Sequence, residues 1–348
     1  MATTQVSADR STSEHNPGPL LGIILESLNL HQAVFAAAEL GIADHLADEP
    51  KSVSELAKEL RVIEEPLYRV LRLLASQGIF FETAPHVFAN TPVSNCLRSD
   101  SPVSLRAMAR LRGSDFLYRS FGEILHTLRT GETGREKALG TDGWEYLRAN
   151  PEMARLFDDA MTSLARIAAP GIAAAYDFAQ WESLLDVGGG NGVLLAAILR
   201  AHPKLRGVLG DQQHVLDRAR QRGFLGGELA SRSSMQACDL FSHIPSGCRA
   251  YLMKSVIHDW NDQDSTRILR NCRKAVPNDG ALLLVEFDLP EDGAPSRGKF
   301  TDVTMMVVTG GKERTIPEYR SLFSASGFEL TKVTPTPTGF NVIEARPV

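Results

Sequence analysis

Three residues in the C-terminal half have the types that move a proton. His258 lies in YLMKSVIHDWND (residues 251–262), Glu286 ends the apolar run ALLLVE, and Glu313 stands in the glycine-opened segment GGKERT. An imidazole, with an unperturbed pKa of about 6.5, is substantially neutral near pH 7 and can take a proton from a bound hydroxyl. A carboxylate on the other ring nitrogen fixes the tautomer and stabilises the imidazolium that forms. It also raises the ring's pKa, which strengthens the base until the ring is already protonated. Such a base serves a nucleophile that must first lose its proton. A phenol, with a pKa of about 10, is a poor nucleophile and its phenolate a good one.

A second constellation identifies what that nucleophile attacks. In LLDVGGGNGVL (residues 184–194) an apolar run enters a glycine-rich turn and then a helix, with Gly188, Gly190 and Gly192 in a G-x-G-x-G pattern. Glycines are needed there for strained backbone angles and for close approach of a ligand. The pattern alone also serves NAD, FAD and nucleosides. Asp186, just before the glycines, disfavours the pyrophosphate that a dinucleotide would place at the helix N-terminus. It suits a cation such as the sulfonium or amino group of S-adenosylmethionine. Asp211 closes the next apolar run, GVLGD, where it can accept from both ribose hydroxyls. Asp239, in CDLF, can accept from an adenine amino group while Leu240 packs on the ring; alone, such an aspartate is more often a cap. A sulfonium methyl is already activated, so the protein need only align the reactants and remove a proton. This scheme calls for no metal.

The elements that position these residues follow from periodicity. From Trp181 onward, short apolar runs (SLLDVG, GVLGD, AYLMKS, ALLLVEF) alternate with amphipathic stretches, as in a parallel α/β sheet. Asp186, Asp211, Asp239, His258 and Glu286 then fall at or just past strand ends, the rim on which such sheets bind ligands. Residues 101–180 read as helical, with Phe157 and Met161 one turn apart on one face. Residues 19–100 read as packed amphipathic helices and a short helix capped by Ser52, with Glu55 at the capping-box position. A second helix with Pro66 in its first turn and Gly78 at its end follows, then a hairpin, giving a winged-helix layout. Residues 1–18, polar and rich in Ser and Thr, read as a disordered tail, and residues 181–348 as the α/β domain.

Composition narrows the partners. A chain of 348 residues suits two domains, and 43% hydrophobic with 23% charged residues is that of a soluble globular protein. A net charge of -5 and a pI near 6.0 argue against a nucleic-acid partner, as do Glu64 and Glu65 beside Arg69 and Arg72 on the second front helix. Cys96, Cys238, Cys248 and Cys272 are scattered and read as reduced thiols, with neither disulfide frame nor zinc site. Unbroken apolar runs such as ALLLV are too short to span a bilayer, and the N-terminal residues lack a signal's apolar stretch. The expected location is cytoplasmic, with no membrane partner.

In order and spacing, LLDVGGGNG, MKSVIHDWND, LLLVEFDLPEDG and GGKERT resemble the plant caffeic acid and flavonoid O-methyltransferases and their microbial relatives. Those relatives include acetylserotonin-type enzymes and tailoring methyltransferases of aromatic natural products. The likeness runs from about Leu20 over nearly the whole chain. It implies a Rossmann-like domain with a mostly parallel seven-stranded sheet. Ahead of that comes a mostly helical, winged-helix-like domain that forms an intertwined homodimer and helps close the partner's site. It implies His258 as base with Glu286 and Glu313 flanking it, Asp186, Gly188 and Gly190 at the methionine and turn, and Asp211 on the ribose. Asp239, Leu240 and Lys254 would lie around the adenine and Asp259 at the donor's methionine end. Phe157, Met161 and Met305 would line the acceptor pocket, the two methionines flanking the acceptor ring.

Several positions depart from that family. Asp211-Gln212-Gln213-His214 stands where Asp-Leu-Pro-His is usual, Ser255 where plant members carry a bulky aromatic, and Val308-Thr309 where they often have Asn-Pro. The acceptor pocket is accordingly not that of a monolignol enzyme, and Ser255 points to a larger, polycyclic acceptor. The expectation is an S-adenosylmethionine-dependent O-methyltransferase of secondary metabolism acting on a small hydroxylated aromatic. Three readings compete with it. A ligand-sensing winged-helix regulator needs duplex binding, which the charge balance disfavours. A nicotinamide-dependent reductase is disfavoured by Asp186. A methyltransferase-fold enzyme with other chemistry on a polycyclic substrate is disfavoured by the intact His258 with both glutamates.

Overall fold

The structure, a computed structural model, describes residues 18–348. The chain divides into two compact units at Val93/Ser94, earlier than the expected boundary near residue 100. The expected tail lies outside the described residues, except for Gly18, with which the first helix opens.

The front unit runs α1 (Gly18–Leu40), α2 (Ile42–His45), β1 (Lys51–Ser52), α3 (Val53–Leu60), α4 (Glu64–Ser76), β2 (Phe80–Ala84) and β3 (Val87–Asn90). Ser52 and Glu55 form the capping box, each satisfying the other's backbone N–H, which stabilises α3 by about 1 kcal/mol. The strands make a small antiparallel sheet in the order β1-β3-β2. Leu56, Leu71, Leu74, Phe80 and Phe88 are fully buried behind it. This is the helix, turn, helix and hairpin read from the sequence.

Helix α1 corrects one expectation. Leu20–Leu40 is long and apolar enough, by length and composition, to cross a membrane, although Ser27, Asn29, His31 and Gln32 interrupt every long apolar run. Leu20, Leu21, Ile23, Ile24, Leu25 and Leu28 are all half exposed or more. An apolar surface of that extent marks a place where another surface binds.

The second unit begins with α5 (Arg106–Gly113), α6 (Asp115–Gly122), α7 (Ile124–Thr130), α8 (Gly134–Leu139), α9 (Gly143–Ala149) and the long α10 (Pro151–Ala175). It continues β4 (Ser183–Val187), α11 (Val193–Ala201), β5 (Arg206–Asp211), α12 (Gln213–Arg222), β6 (Ser233–Ala237), β7 (Ala250–Lys254), α13 (Asp262–Ala275) and β8 (Ala281–Glu286). It closes with α14 (Arg297–Val308), α15 (Ile316–Ser324), β9 (Phe328–Pro335) and β10 (Asn341–Pro347). The seven strands lie in the order β6-β5-β4-β7-β8-β10-β9. All pairs up to β8 are parallel, and β10 runs antiparallel to both its neighbours. Helices cover both faces, so every residue of β8 is buried. Each fully buried leucine there stabilises the sheet by about 1.5–3 kcal/mol. The chain order reverses between β4 and β7, and crevices for ligands open beyond the strand ends at such a switch point.

Candidate active site

At the end of β4 the backbone turns through Gly188, Gly190 and Gly192, all at positive φ (71°, 58° and 78°), before α11 begins. The turn is drawn onto its neighbour by the Gly188 N–H, which donates to Gly210 O at 2.7 Å. Gly189, absent from the sequence pattern, is the tightest point: a Cβ there would come within 2.6 Å of Asp186 Oδ2. The carboxylate of Asp186 is thus folded beneath the turn, buried, with Oδ2 lacking any hydrogen-bond partner. Burial, and then the charge of Asp211, push it up to about 7. An unpartnered buried carboxylate beside a glycine turn fits a cationic donor and would repel a pyrophosphate. Asp211 accepts from Gly190 N at 2.9 Å and Gln212 N at 2.7 Å, so the same residue ties the turn to the end of β5 and keeps lone pairs for ribose hydroxyls. Asn191 Nδ2 donates to Thr162 Oγ1 at 2.8 Å and fastens α10 to this turn, a role that no local signal announces.

Asp239 lies past β6, which stops at Ala237, and the side chain caps its own turn. Its Oδ1 accepts from Phe241 N at 2.9 Å and its Oδ2 from Ser242 Oγ at 2.8 Å. These bonds hold its carboxyl below the usual range. The cap and the adenine-facing reading therefore concern one exposed residue, with Leu240 half-buried beside it. Lys254, which the resemblance places at the adenine, donates to Ser255 Oγ at 3.1 Å and sits 4.6 Å above the ring of Phe340. Burial pulls its pKa down. Ser255 itself is at φ 53°. Its hydroxyl accepts from the lysine.

His258 and the two glutamates do converge. Glu286 is completely buried at the end of β8, where Oε1 accepts from the backbone N–H of Val256 (3.1 Å) and Ile257 (3.0 Å). It thereby shapes the turn that carries His258. Its Oε2 is 3.7 Å from His258 Nδ1 and makes no hydrogen bond. Glu313 Oε1 lies 2.8 Å from the same nitrogen. In the neutral ring the glutamate bond fixes Nδ1–H as donor and leaves the lone pair on Nε2. Burial opposes the charged ring, but Glu286, the hydrogen-bonded Glu313 and Asp259 outweigh it and push His258 up to about 9. Burial likewise lifts Glu286, against the pull of His258, to about 7. Asp259 brings Oδ1 to 3.9 Å from His258 Nε2, which is the side the base would use.

Arg314, which the sequence reading passed over, braces this arrangement from behind. Fully buried, it donates to Asp262 Oδ1, Ile257 O, Trp260 O and Ser265 Oγ, at 2.9–3.2 Å. Its place directly after Glu313 was the available signal. The glycine-opened loop has a steric reason too, since a Cβ on Gly311 would lie 2.0 Å from His258 O.

The implied acceptor residues come from two helices, α10 and α14. Phe157 belongs to an aromatic cluster on the helical side, edge-on to Phe116 and Trp144 at 6.2 and 6.1 Å between centroids. Met161 is exposed one turn along α10, and Met305 is half-buried on α14 with Sδ 3.7 Å from Thr309 Oγ1. The ligand atoms of His258, Glu286 and Glu313 lie within 4.8 Å of one another, close enough for a metal ion. Glu286 Oε1 is taken up by two backbone donors and Nδ1 by Glu313, while Oε2 of both glutamates is buried without a hydrogen bond.

A switch-point glycine turn over a buried acid, a strand-end aspartate tied to that turn and a carboxylate-held histidine point to an S-adenosylmethionine-dependent methyltransferase. Residues 121–329 match the O-methyltransferase domain and residues 24–100 the O-methyltransferase dimerisation domain. The chain is 42% identical over 333 residues to a phenazine O-methyltransferase of Lysobacter antibioticus, covering 95% of this chain and 97% of that one. It is 35% identical over 325 residues to the mitomycin biosynthesis 6-O-methyltransferase of Streptomyces lavendulae, covering 93% of each. An O-methyltransferase from neocarzinostatin biosynthesis, solved with S-adenosylhomocysteine and 1,4-dihydroxy-2-naphthoic acid, superposes with a TM-score of 0.78 at 31% identity, over 92% of this chain and 96% of that one. The chain belongs to the S-adenosylmethionine-dependent O-methyltransferase family, among the members that tailor aromatic natural products.

Proposed function

We propose that this enzyme methylates a phenolic hydroxyl of a polycyclic aromatic acceptor, with His258 as general base and without a metal. The observation that carries the reading is the 2.8 Å contact of Glu313 with His258 Nδ1, which leaves Nε2 to receive the acceptor's proton. As the O–H bond gives up its proton to Nε2, the oxygen displaces the methyl carbon in line. The C–S pair stays on sulfur, giving a methyl ether and S-adenosylhomocysteine. Glu313 and Glu286 stabilise the imidazolium until the proton passes to solvent. Asp186 and Asp211 hold the donor's cationic and ribose parts. The polycyclic class rests on the phenazine, mitomycin and naphthoate relatives and not on Ser255.

Calorimetric titration with S-adenosylmethionine, S-adenosylhomocysteine and NADH tests the donor site. Both sulfur ligands should bind and NADH should not, and a chelator should change neither binding nor turnover on a panel of hydroxyphenazines and hydroxynaphthoates. NADH binding with failure of both sulfur ligands would remove the reading.

The pH profile follows from the site's electrostatics. Because the neutral ring is the active form and its pKa is about 9, kcat/KM should climb with pH until near that value. In Glu313→Gln the acid limb should move down toward about 6.5, since a neutral amide no longer stabilises the imidazolium. A limb that stays in place in the variant would dissociate Glu313 from the base. With the donor saturating, the limb should fall lower in both proteins, because a nearby sulfonium disfavours a second positive charge.

We also propose a cytoplasmic homodimer in which the bare apolar face of α1 is covered by the partner, with no part for a membrane or a nucleic acid. The two arginines that a winged helix would offer to DNA are occupied within their own helix. Arg69 lies 3.8 Å from Glu65, and Arg72 lies over the ring of Tyr68. Sedimentation should give a dimer and Leu25→Glu a monomer, because a buried carboxylate without a partner is strongly disfavoured. A dimer unaffected by Leu25→Glu would move the interface elsewhere.

A further inference from the structure

We infer that Arg135 is the receptor for a carboxylate carried by the acceptor, so that the acceptor class is a hydroxylated aromatic acid. The inference deepens the proposed function and rests on it. Arg135, in the first turn of α8, is only 5% exposed. Its guanidinium lies on the ring of Phe116, 4.1 Å from the centroid, and Nη1 occupies the space over Gly143, where a Cβ would come within 2.4 Å. Its Nε is buried without a hydrogen-bond partner, and among the described residues no carboxylate reaches the guanidinium to form an ion pair. Asp142 spends Oδ1 on the N-terminus of α9, accepting from Trp144 N and Glu145 N. Asp259 acts on Arg135 only through space and shares its charge with His258.

A guanidinium cannot discharge itself to escape burial. The Phe116 ring compensates part of the charge through its face but satisfies none of the N–H donors. A buried ion in this condition is poorly tolerated unless a partner arrives. The position says which partner. On one side Phe116 stands edge-on to Phe157, the residue that the family resemblance assigns to the acceptor pocket. On the other, Asp259 borders Nε2 of the base. A planar fork at that point matches a carboxylate, which it can hold in a bidentate manner and thereby orient a ring hydroxyl toward Nε2.

The test uses the full enzyme saturated with S-adenosylhomocysteine and a matched pair of probes, a hydroxynaphthoate and the naphthol lacking its carboxylate. The acid should bind the wild type at least about tenfold more tightly than the naphthol. Arg135→Met should erase that difference without changing the naphthol or S-adenosylhomocysteine affinities, and Arg135→Lys should restore it only in part. The Tm of Arg135→Met should equal or exceed that of the wild type, because an unpaired buried charge is removed, and the acid should raise the Tm of the wild type alone. The inference is overturned if the wild type shows no preference for the acid, whether both probes bind alike or neither binds. It is equally overturned if Arg135→Met weakens both probes together. Should Arg135→Met not fold, Arg135→Lys read on the same pair decides, an unchanged preference counting against the assignment. Failure of S-adenosylhomocysteine to bind the wild type would strike the proposed function itself. Its binding without acid preference strikes only the carboxylate receptor.

Discussion

His258→Ala is expected to lower turnover by about 100-fold to 10,000-fold, the range for loss of a positioned general base, while S-adenosylhomocysteine binds almost as before. The separation is possible because the site has two independent supports. The proposed donor-binding groups hang on the β4 turn and the end of β5, where Asp211 closes on Gly190. The proposed base hangs on the turn after β7, shaped by Glu286 and held by Glu313. Removing the imidazole leaves the first support untouched. Glu286→Gln should cost less, because an amide oxygen can still accept from Val256 and Ile257 and preserve the turn, while the ring loses only one of its stabilising charges. Turnover is followed by release of S-adenosylhomocysteine and binding by calorimetry. Undiminished turnover in the alanine variant would refute the base assignment, and a parallel loss of donor affinity in Glu286→Gln would place that residue in the donor site.

The second large effect should come from a residue with no side chain. In Gly311→Ala the new Cβ would meet His258 O at 2.0 Å, Asp259 C at 2.4 Å and Trp260 N at 2.7 Å, all of them backbone atoms that cannot rotate away. The loop bearing Glu313 and the turn bearing His258 must then separate by about an ångström, and a misplacement of that size can lower turnover by about 100-fold. Overpacking of this kind also destabilises by about 1–3 kcal/mol, so Tm should fall. Affinity for S-adenosylhomocysteine should change little, since the glycine turn and Asp211 lie on other strands. A variant retaining more than half of wild-type turnover would show that the Glu313 contact does not position the base. The same variant losing donor binding would show that the two supports are coupled.

Some of this site could be read without coordinates. Asp186, Asp211 and Glu286 each end an apolar run, and the side-chain alternation and turn residues that make a run into a strand act over a few neighbours. The glycine turn and the Ser52–Glu55 box are local for the same reason. A parallel sheet follows once the runs alternate with helices, but its strand order, and with it the switch point beside β4, came only with the structure. The membrane-length apolarity of α1 was missed because unbroken runs were counted and not the average along a helix that tolerates polar residues on one side.

What folding alone decided is which atoms meet. Glu313 is 55 residues from His258 in sequence, yet it is this carboxylate that takes Nδ1, while Glu286 turns one oxygen to the backbone of Val256 and Ile257. Arg314 and Gly311 belong to that arrangement only because α13 and the loop after α14 pack against the same turn. Asp239 caps its own turn and Lys254 bonds to Ser255, contacts that no motif along the chain announces. Arg135 had no pattern around it to give it away. Its burial without a counterion exists only where α6, α8 and α9 close over it. Types and spacing are carried by short-range preferences along the chain, whereas partners, burial and proton affinity depend on distances that only packing sets.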